Sequence, residues 1–94
     1  MEIPRIISDA QALDFGLPIT GYLCCASVRF PCLIGIVFLD RLGRFEDGGY
    51  ICTSWVQNTL IIHGYLVCET VTGSRYVVCH WLQEDGLPLP DVLH

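Results

Sequence analysis

Clean apolar–polar alternation is lacking before residue 33, whereas from residue 33 onward apolar, β-branched runs bounded by turn residues give clearer signals, so the two parts are read differently. In the first part Pro4 discourages an early helix. The extended lead-in gives way at Ser8, an N-cap type of residue with Gln11 three places on. Asp9 suits the partial positive charge of a helix N-terminus. This pattern predicts a helix over residues 9–15 that stops at Gly16, with Pro18 beyond it. A helix of about two turns is marginal in water, so it requires Leu13 and Phe15 to dock on a sheet. Residues 19–30 suit either a buried strand or one short helix; the strand is preferred, and Pro31 ends it in both cases.

From residue 33 the run Leu-Ile-Gly-Ile-Val-Phe-Leu is β-branched, aromatic and bounded by turn residues, which predicts a central strand buried on both faces. Residues 40–44 read as a turn and 45–49 as a glycine-rich break. A strand over 50–56 is interrupted at Gln57, Asn58 and Thr59, then resumes over 60–63 before Gly64. Two strands, 65–71 and 75–82, then flank the Gly73-Ser74 step as a hairpin. If those two residues form the turn, Thr72 faces Arg75, Thr70 faces Val77 and Cys68 lies opposite Cys79; a three-residue loop shifts the register and separates the two cysteines. Beyond residue 82, Pro88 and Pro90 lack the N–H that a ladder needs, so the tail lies extended over the surface or moves freely. The fold class is α+β, mainly β: a short N-terminal helix followed by a curved antiparallel sheet or small partly open barrel of four to five strands. One domain covers residues 1–94, with a helix and lead-in over 1–32, a β core over 33–82 and an acidic, proline-containing tail over 83–94.

Composition adds a second expectation. Hydrophobic residues make up 52% of the chain and charged ones 16%, with a mean hydropathy of +0.50. That surplus predicts either a homodimer or protein partner, or a dense β core with scattered surface apolar residues. The net charge is −5, from ten acids, five arginines and no lysine, which repels nucleic acid and favours a basic surface on another protein. No apolar run is long enough to span a bilayer, and the N-terminus shows no basic region followed by an apolar one, so the expectation is a cytoplasmic protein with reduced thiols.

The residues that could carry chemistry are nine possible metal ligands: Cys24, Cys25, Cys32, Cys52, Cys68, Cys79, His63, His80 and His94. No Cys-x-x-Cys occurs, Cys24 and Cys25 are adjacent, and Cys79 and His80 point to opposite faces of a regular strand. Buried thiols acting as small hydrophobes are therefore preferred, with Cys68 and Cys79 the weaker metal alternative. Facing each other they would also fit a disulfide, which a reducing compartment disfavours. No nucleophile–base signature and no phosphate-binding loop is present, so no catalytic residue and no cofactor is expected. The acidic pairs Glu46-Asp47 and Glu84-Asp85 sit beside glycine in turns; either they are solvated loop charge or they form an acidic rim for a partner, with Trp55 or Trp81 as apolar anchor.

Val37-Phe38-Leu39-Asp40, Gly43-Arg44-Phe45, Gly48, Ile51, Thr53-Ser54, Glu69-Thr70, Thr72-Gly73-Ser74 and Tyr76-Val77 together resemble a pattern in small uncharacterised proteins of phages, prophages and plasmids, notably of pseudomonads. In that group a Gly-Arg-Phe or Gly-Arg-Trp turn leads to a Thr-Ser strand and then a hairpin. The resemblance covers about half the chain and consists of turn and strand residues. It implies a shared β core and a mobile-element origin. In that context it implies a phage-encoded interaction protein, of the anti-CRISPR kind, that inhibits a bacterial defence protein or ribonucleoprotein complex in the host cytoplasm by covering a basic nucleic-acid-binding surface. Two other classes stay open: a small metal- or ligand-binding β module using the thiols, and a structural accessory subunit joined through a strand edge.

Overall fold

The helix starts where an apolar stripe begins, ahead of the residues that look like its cap. The computed structural model of the protein describes residues 3–82, and α1 spans Arg5–Gln11. Ile7 and Ala10 are fully buried and Ile3 packs beside them, a spacing of i, i+4, i+7 that sets all three on one face. The start expected at Ser8 is corrected accordingly. The Pro4 carbonyl accepts the amides of Ile7 (3.0 Å) and Ser8 (3.1 Å), and no side chain caps the helix. A cap contributes about 1 kcal/mol, less than the roughly 1.5–3 kcal/mol from burying one large aliphatic side chain. Phe15 docks as expected, edge-on to His63 and Tyr65, but from beyond the helix end; Leu13 is exposed.

Six strands follow: β1 (Gly21–Arg29), β2 (Cys32–Phe38), β3 (Gly49–Cys52), β4 (Val56–Ile62), β5 (Tyr65–Thr70) and β6 (Arg75–Val78). They form one sheet in the order β3-β2-β1-β6-β5-β4. The mainly β fold with a short N-terminal helix is the one expected. It has one strand more than anticipated, and one parallel pairing, between β1 and β6, among otherwise antiparallel neighbours. Residues 19–30 contribute β1, so the strand reading of that stretch holds. The two edge strands β3 and β4 follow each other in the chain, separated only by residues 53–55. Four Cα steps bring those edges within about 15 Å of each other, so the sheet curls into a partly open barrel. No helix among the described residues is long and apolar enough to cross a membrane.

The break between β3 and β4 falls at residues 53–55, earlier than the Gln57-Asn58-Thr59 interruption read from polarity. Those three residues lie in β4, an edge strand with its outward side chains in water, where a polar run does not end a ladder. Thr53 makes the bend. Its hydroxyl accepts from the Leu33 amide (3.0 Å) and donates to the Ser54 carbonyl (2.8 Å), while its own amide donates to the Leu33 carbonyl (2.8 Å). Next, the Val56 amide donates to the Pro31 carbonyl and the Val71 amide to the Trp55 carbonyl, both at 2.8 Å. Within two residues the chain has left β2 and joined β5.

Alternation divides the core in two. Leu23, Ala26, Leu33, Val37, Ile51, Cys68, Tyr76 and Val78 pack together inside the curl. Tyr22, Phe38, Val67 and Val77 pack on the other face beneath Ile7, Ala10 and Phe15. Burial on both faces of the central strands accounts for part of the apolar surplus.

The hairpin register differs from the one expected. Cys68 pairs with Tyr76 and Glu69 with Arg75, leaving residues 71–73 as a three-residue loop. Gly73 takes φ +88° there, its amide donating to the Thr70 carbonyl (2.9 Å), and the Ser74 amide donates to the Thr70 hydroxyl (3.1 Å). Such a loop, a tight turn followed by a left-handed glycine, is a common hairpin closure. Cys68 and Cys79 are therefore not opposite each other: Cys68 faces the inner cluster and Cys79 packs against the outer one.

Candidate functional site

Of the expected partner-binding residues, Glu84 and Asp85 lie outside the described residues. Glu46 and Asp47 are exposed in the loop between β2 and β3, but Asp47 is partly occupied: its Oδ1 accepts from the Leu39 amide at 2.7 Å. Trp55 is 64% exposed at the bend, whereas Trp81 is half-buried, bridged to Ala26 and packed against the inner cluster. Four of the ten acids, Glu2, Glu84, Asp85 and Asp91, fall outside the described residues, which leaves six acids to five arginines within them. The barrel itself is thus close to neutral. Glu69 accepts from Arg75 (2.7 Å) and Asn58 (2.9 Å), and these two bonds, Arg75 foremost, hold its carboxyl below the usual range.

The glycine-rich loop is tied down by its own residues and by Asp40 before it. Asp40 accepts the amides of Arg44 (2.7 Å) and Phe45 (3.1 Å). The Arg44 guanidinium lies 5.2 Å above the Phe45 ring and donates to the Tyr76 hydroxyl (3.1 Å), whose pKa burial raises. Thr53 at the bend and Thr70, Gly73 and Ser74 at the hairpin close two further corners of the sheet.

Two arrangements remain that the fold does not need. The first is an apolar corner where three turns meet. The hydrogen bonds from Val56 to Pro31 and from Val71 to Trp55 bring the β1–β2 turn, the bend and the β5–β6 turn side by side, and the Thr72 hydroxyl reaches Ser54 (3.4 Å). Each turn carries an exposed apolar side chain: Phe30 at 90%, Trp55 at 64% and Val71 at 55%. Sequence reading singled out Trp55 alone, because nothing local marks the three segments as neighbours.

The second is a group of thiols. All six cysteines are free. Burial pushes Cys68 up to about 11 inside the core. Cys24 is pushed up to about 11 by burial and then by Cys25, and Cys79 to about 12 by burial and then by Cys24. Cys24, Cys25 and His80 place their ligand atoms within 4.8 Å of one another. Adjacency argued against this grouping in the sequence, and a β-bulge overrides that argument. The signal that could have found it is Gly35 within a strand otherwise made of bulky residues.

These features define a small, partly open β-barrel with an exposed apolar corner and a thiol–imidazole cluster. Comparison with protein-family models, curated proteins and solved structures finds no match to this chain.

Proposed function

We propose that the protein acts by binding another macromolecule, as an inhibitor of a bacterial defence protein or ribonucleoprotein complex. The observation that carries the binding reading is the convergence of Phe30, Trp55 and Val71 on three hydrogen-bonded turns. Exposed aromatic side chains grouped in this way supply the large contact area that interface anchors use. The partner class rests on the resemblance of residues 33–82 to mobile-element proteins, and on a chain that carries net charge −5 without a lysine. Such a chain is drawn to a basic surface of the kind that holds nucleic acid. Glu46 on the barrel, and Glu84 and Asp85 further along the chain, supply negative charge for the partner; Trp55 supplies the anchor.

A pull-down from host lysate with the full chain, followed by mass spectrometry, tests this. The expected result is a nucleic-acid-binding defence component recovered by the native chain and lost with Trp55→Ala, with capture weakening as salt rises. Recovery of chaperones alone, or equal capture by Trp55→Ala, would overturn it.

A further inference from the structure

Neighbouring residues of a strand point to opposite faces, yet the sulfurs of Cys24 and Cys25 lie 3.5 Å apart. A bulge causes this. Between Cys24 and Ser27, β1 contains one residue more than the part of β2 it pairs with, and Cys25 takes φ +54°, a left-handed backbone that side chains bearing a Cβ disfavour. Gly35 on β2 accommodates the bulge: a Cβ there would stand 3.2 Å from the Ala26 Cα and 3.3 Å from the Cys24 carbonyl oxygen. Pairing resumes in regular form at Ser27 and Ile34. The sheet continues past the irregularity, so the strain must be accounted for locally.

The chain just beyond β6 brings the third group. The Cys79 amide donates to the Leu23 carbonyl (2.8 Å) and the Ala26 amide to the His80 carbonyl (3.0 Å), which lays His80 along the bulge. One imidazole nitrogen and the two sulfurs then lie within 4.8 Å of each other. In a tetrahedral zinc site, metal–sulfur bonds of about 2.3 Å and metal–nitrogen bonds of about 2.0–2.1 Å separate the donor atoms by roughly 3.5–3.8 Å. The observed spacing is within about one ångström of that arrangement. Two thiolates and an imidazole are soft donors that select zinc or copper(I) over calcium or magnesium. Left-handed backbone also occurs at Leu39 and His63; at Cys25 it coincides with a bulge and with converging donor groups, the setting in which strain and bulges mark functional sites.

We propose that Cys24, Cys25 and His80 bind one soft, thiophilic metal ion of the zinc(II) or copper(I) type. Binding breaks two S–H bonds, releases two protons to solvent and forms two metal–sulfur bonds and one metal–nitrogen bond. No oxidant is involved. For a tetrahedral ion, three protein ligands leave one position for water or an outside ligand, and His80 sits at the exposed side of the group. The site is independent of the apolar corner.

Cobalt(II) titrated into the reduced, metal-free full chain reads this directly. The expected result is thiolate-to-cobalt absorption that saturates at one equivalent and is displaced by zinc. A parallel copper(I) titration against a chromophoric chelator shows which ion is held more tightly. Cys25→Gly keeps the left-handed backbone with the residue that adopts it freely, and His80→Ala alters an exposed side chain, so both variants fold. Each is expected to lose at least the roughly 10–100-fold in affinity that disturbing even an outer partner of a ligand causes. Cys52→Ser, on exposed β3, is expected to bind as the native chain does. Absence of thiolate–metal absorption with both ions overturns the proposal, as does native affinity in either Cys25→Gly or His80→Ala.

Discussion

The two hairpins that flank the parallel β1–β6 pairing solve the same problem in opposite ways. In the β5–β6 hairpin the left-handed position falls on Gly73, the Thr70 hydroxyl satisfies the Ser74 amide, and Glu69 faces Arg75 across the ladder. Every local preference there agrees with the fold. In the β1–β2 hairpin the left-handed position falls on Cys25, one strand has an extra residue, and a glycine opposite makes the room. Local preference there is overridden. Left-handed backbone also falls on Leu39 and His63, and β4 carries a second register shift. At Cys25 the left-handed residue and a bulge coincide where two thiols and an imidazole converge, and that coincidence points to special chemistry there. The β5–β6 hairpin, by contrast, reads as architecture.

That contrast can be broken most severely at Gly35. Gly35→Val puts a branched side chain against the Ala26 backbone and the Cys24 carbonyl. Overpacking of this kind costs about 3 kcal/mol, which chemical denaturation reads as a lower midpoint. A variant as stable as the native chain would show that β1 does not need the close approach.

A smaller effect of opposite sign is expected at Cys25. A left-handed residue with a Cβ costs about 1–2 kcal/mol, while glycine costs roughly 0.5–1 kcal/mol in chain entropy. Cys25→Gly should therefore leave the metal-free protein as stable as the native chain or up to about 1.5 kcal/mol more stable. Glycine would do the reverse in a relaxed strand.

The mildest test lies on the β5–β6 hairpin. Hydrogen bonds from Arg75, then Asn58, depress the Glu69 carboxyl, so its stabilisation is fully present above the unfolded-state pKa and fades as pH falls through the folded-state value. Glu69→Gln should lower the unfolding midpoint at neutral pH, and the gap to the native chain should close in acid. A gap that stays constant down to acid pH would remove the ionised pair as its cause.

Much of the barrel was legible in the chain, and what was missed has definite physical causes. β2 could be read because residues 33–39 are apolar on both faces, and β5 and β6 because β-branched runs flank a glycine turn. The helix was displaced because Ser8 and Gln11 mimic a capping box, while Ile3, Ile7 and Ala10 form the stripe that is buried. The bend was misplaced because Gln57, Asn58 and Thr59 are polar, as edge-strand residues facing water can be. The hairpin register failed because Gly73 closes a three-residue loop instead of opening a two-residue one. The thiol cluster was hidden for a deeper reason: strand alternation sends Cys24 and Cys25 apart, and only a bulge reunites them. The apolar corner depends on three turns far apart in sequence, which no local pattern connects.

Thermal unfolding of the native chain and of Cys25→Gly, each reduced and measured with and without excess zinc, tests the central claim most directly. A ligand bound only by the folded state stabilises it in proportion to the logarithm of its free concentration over Kd, by about 2.7 kcal/mol at one hundred times Kd. The prediction is a zinc-dependent rise in midpoint for the native chain and a clearly smaller one for Cys25→Gly, which is at least as stable when metal-free. An equal response of the two proteins, or no response in the native chain, would contradict it: the strain at Cys25 would then serve no metal.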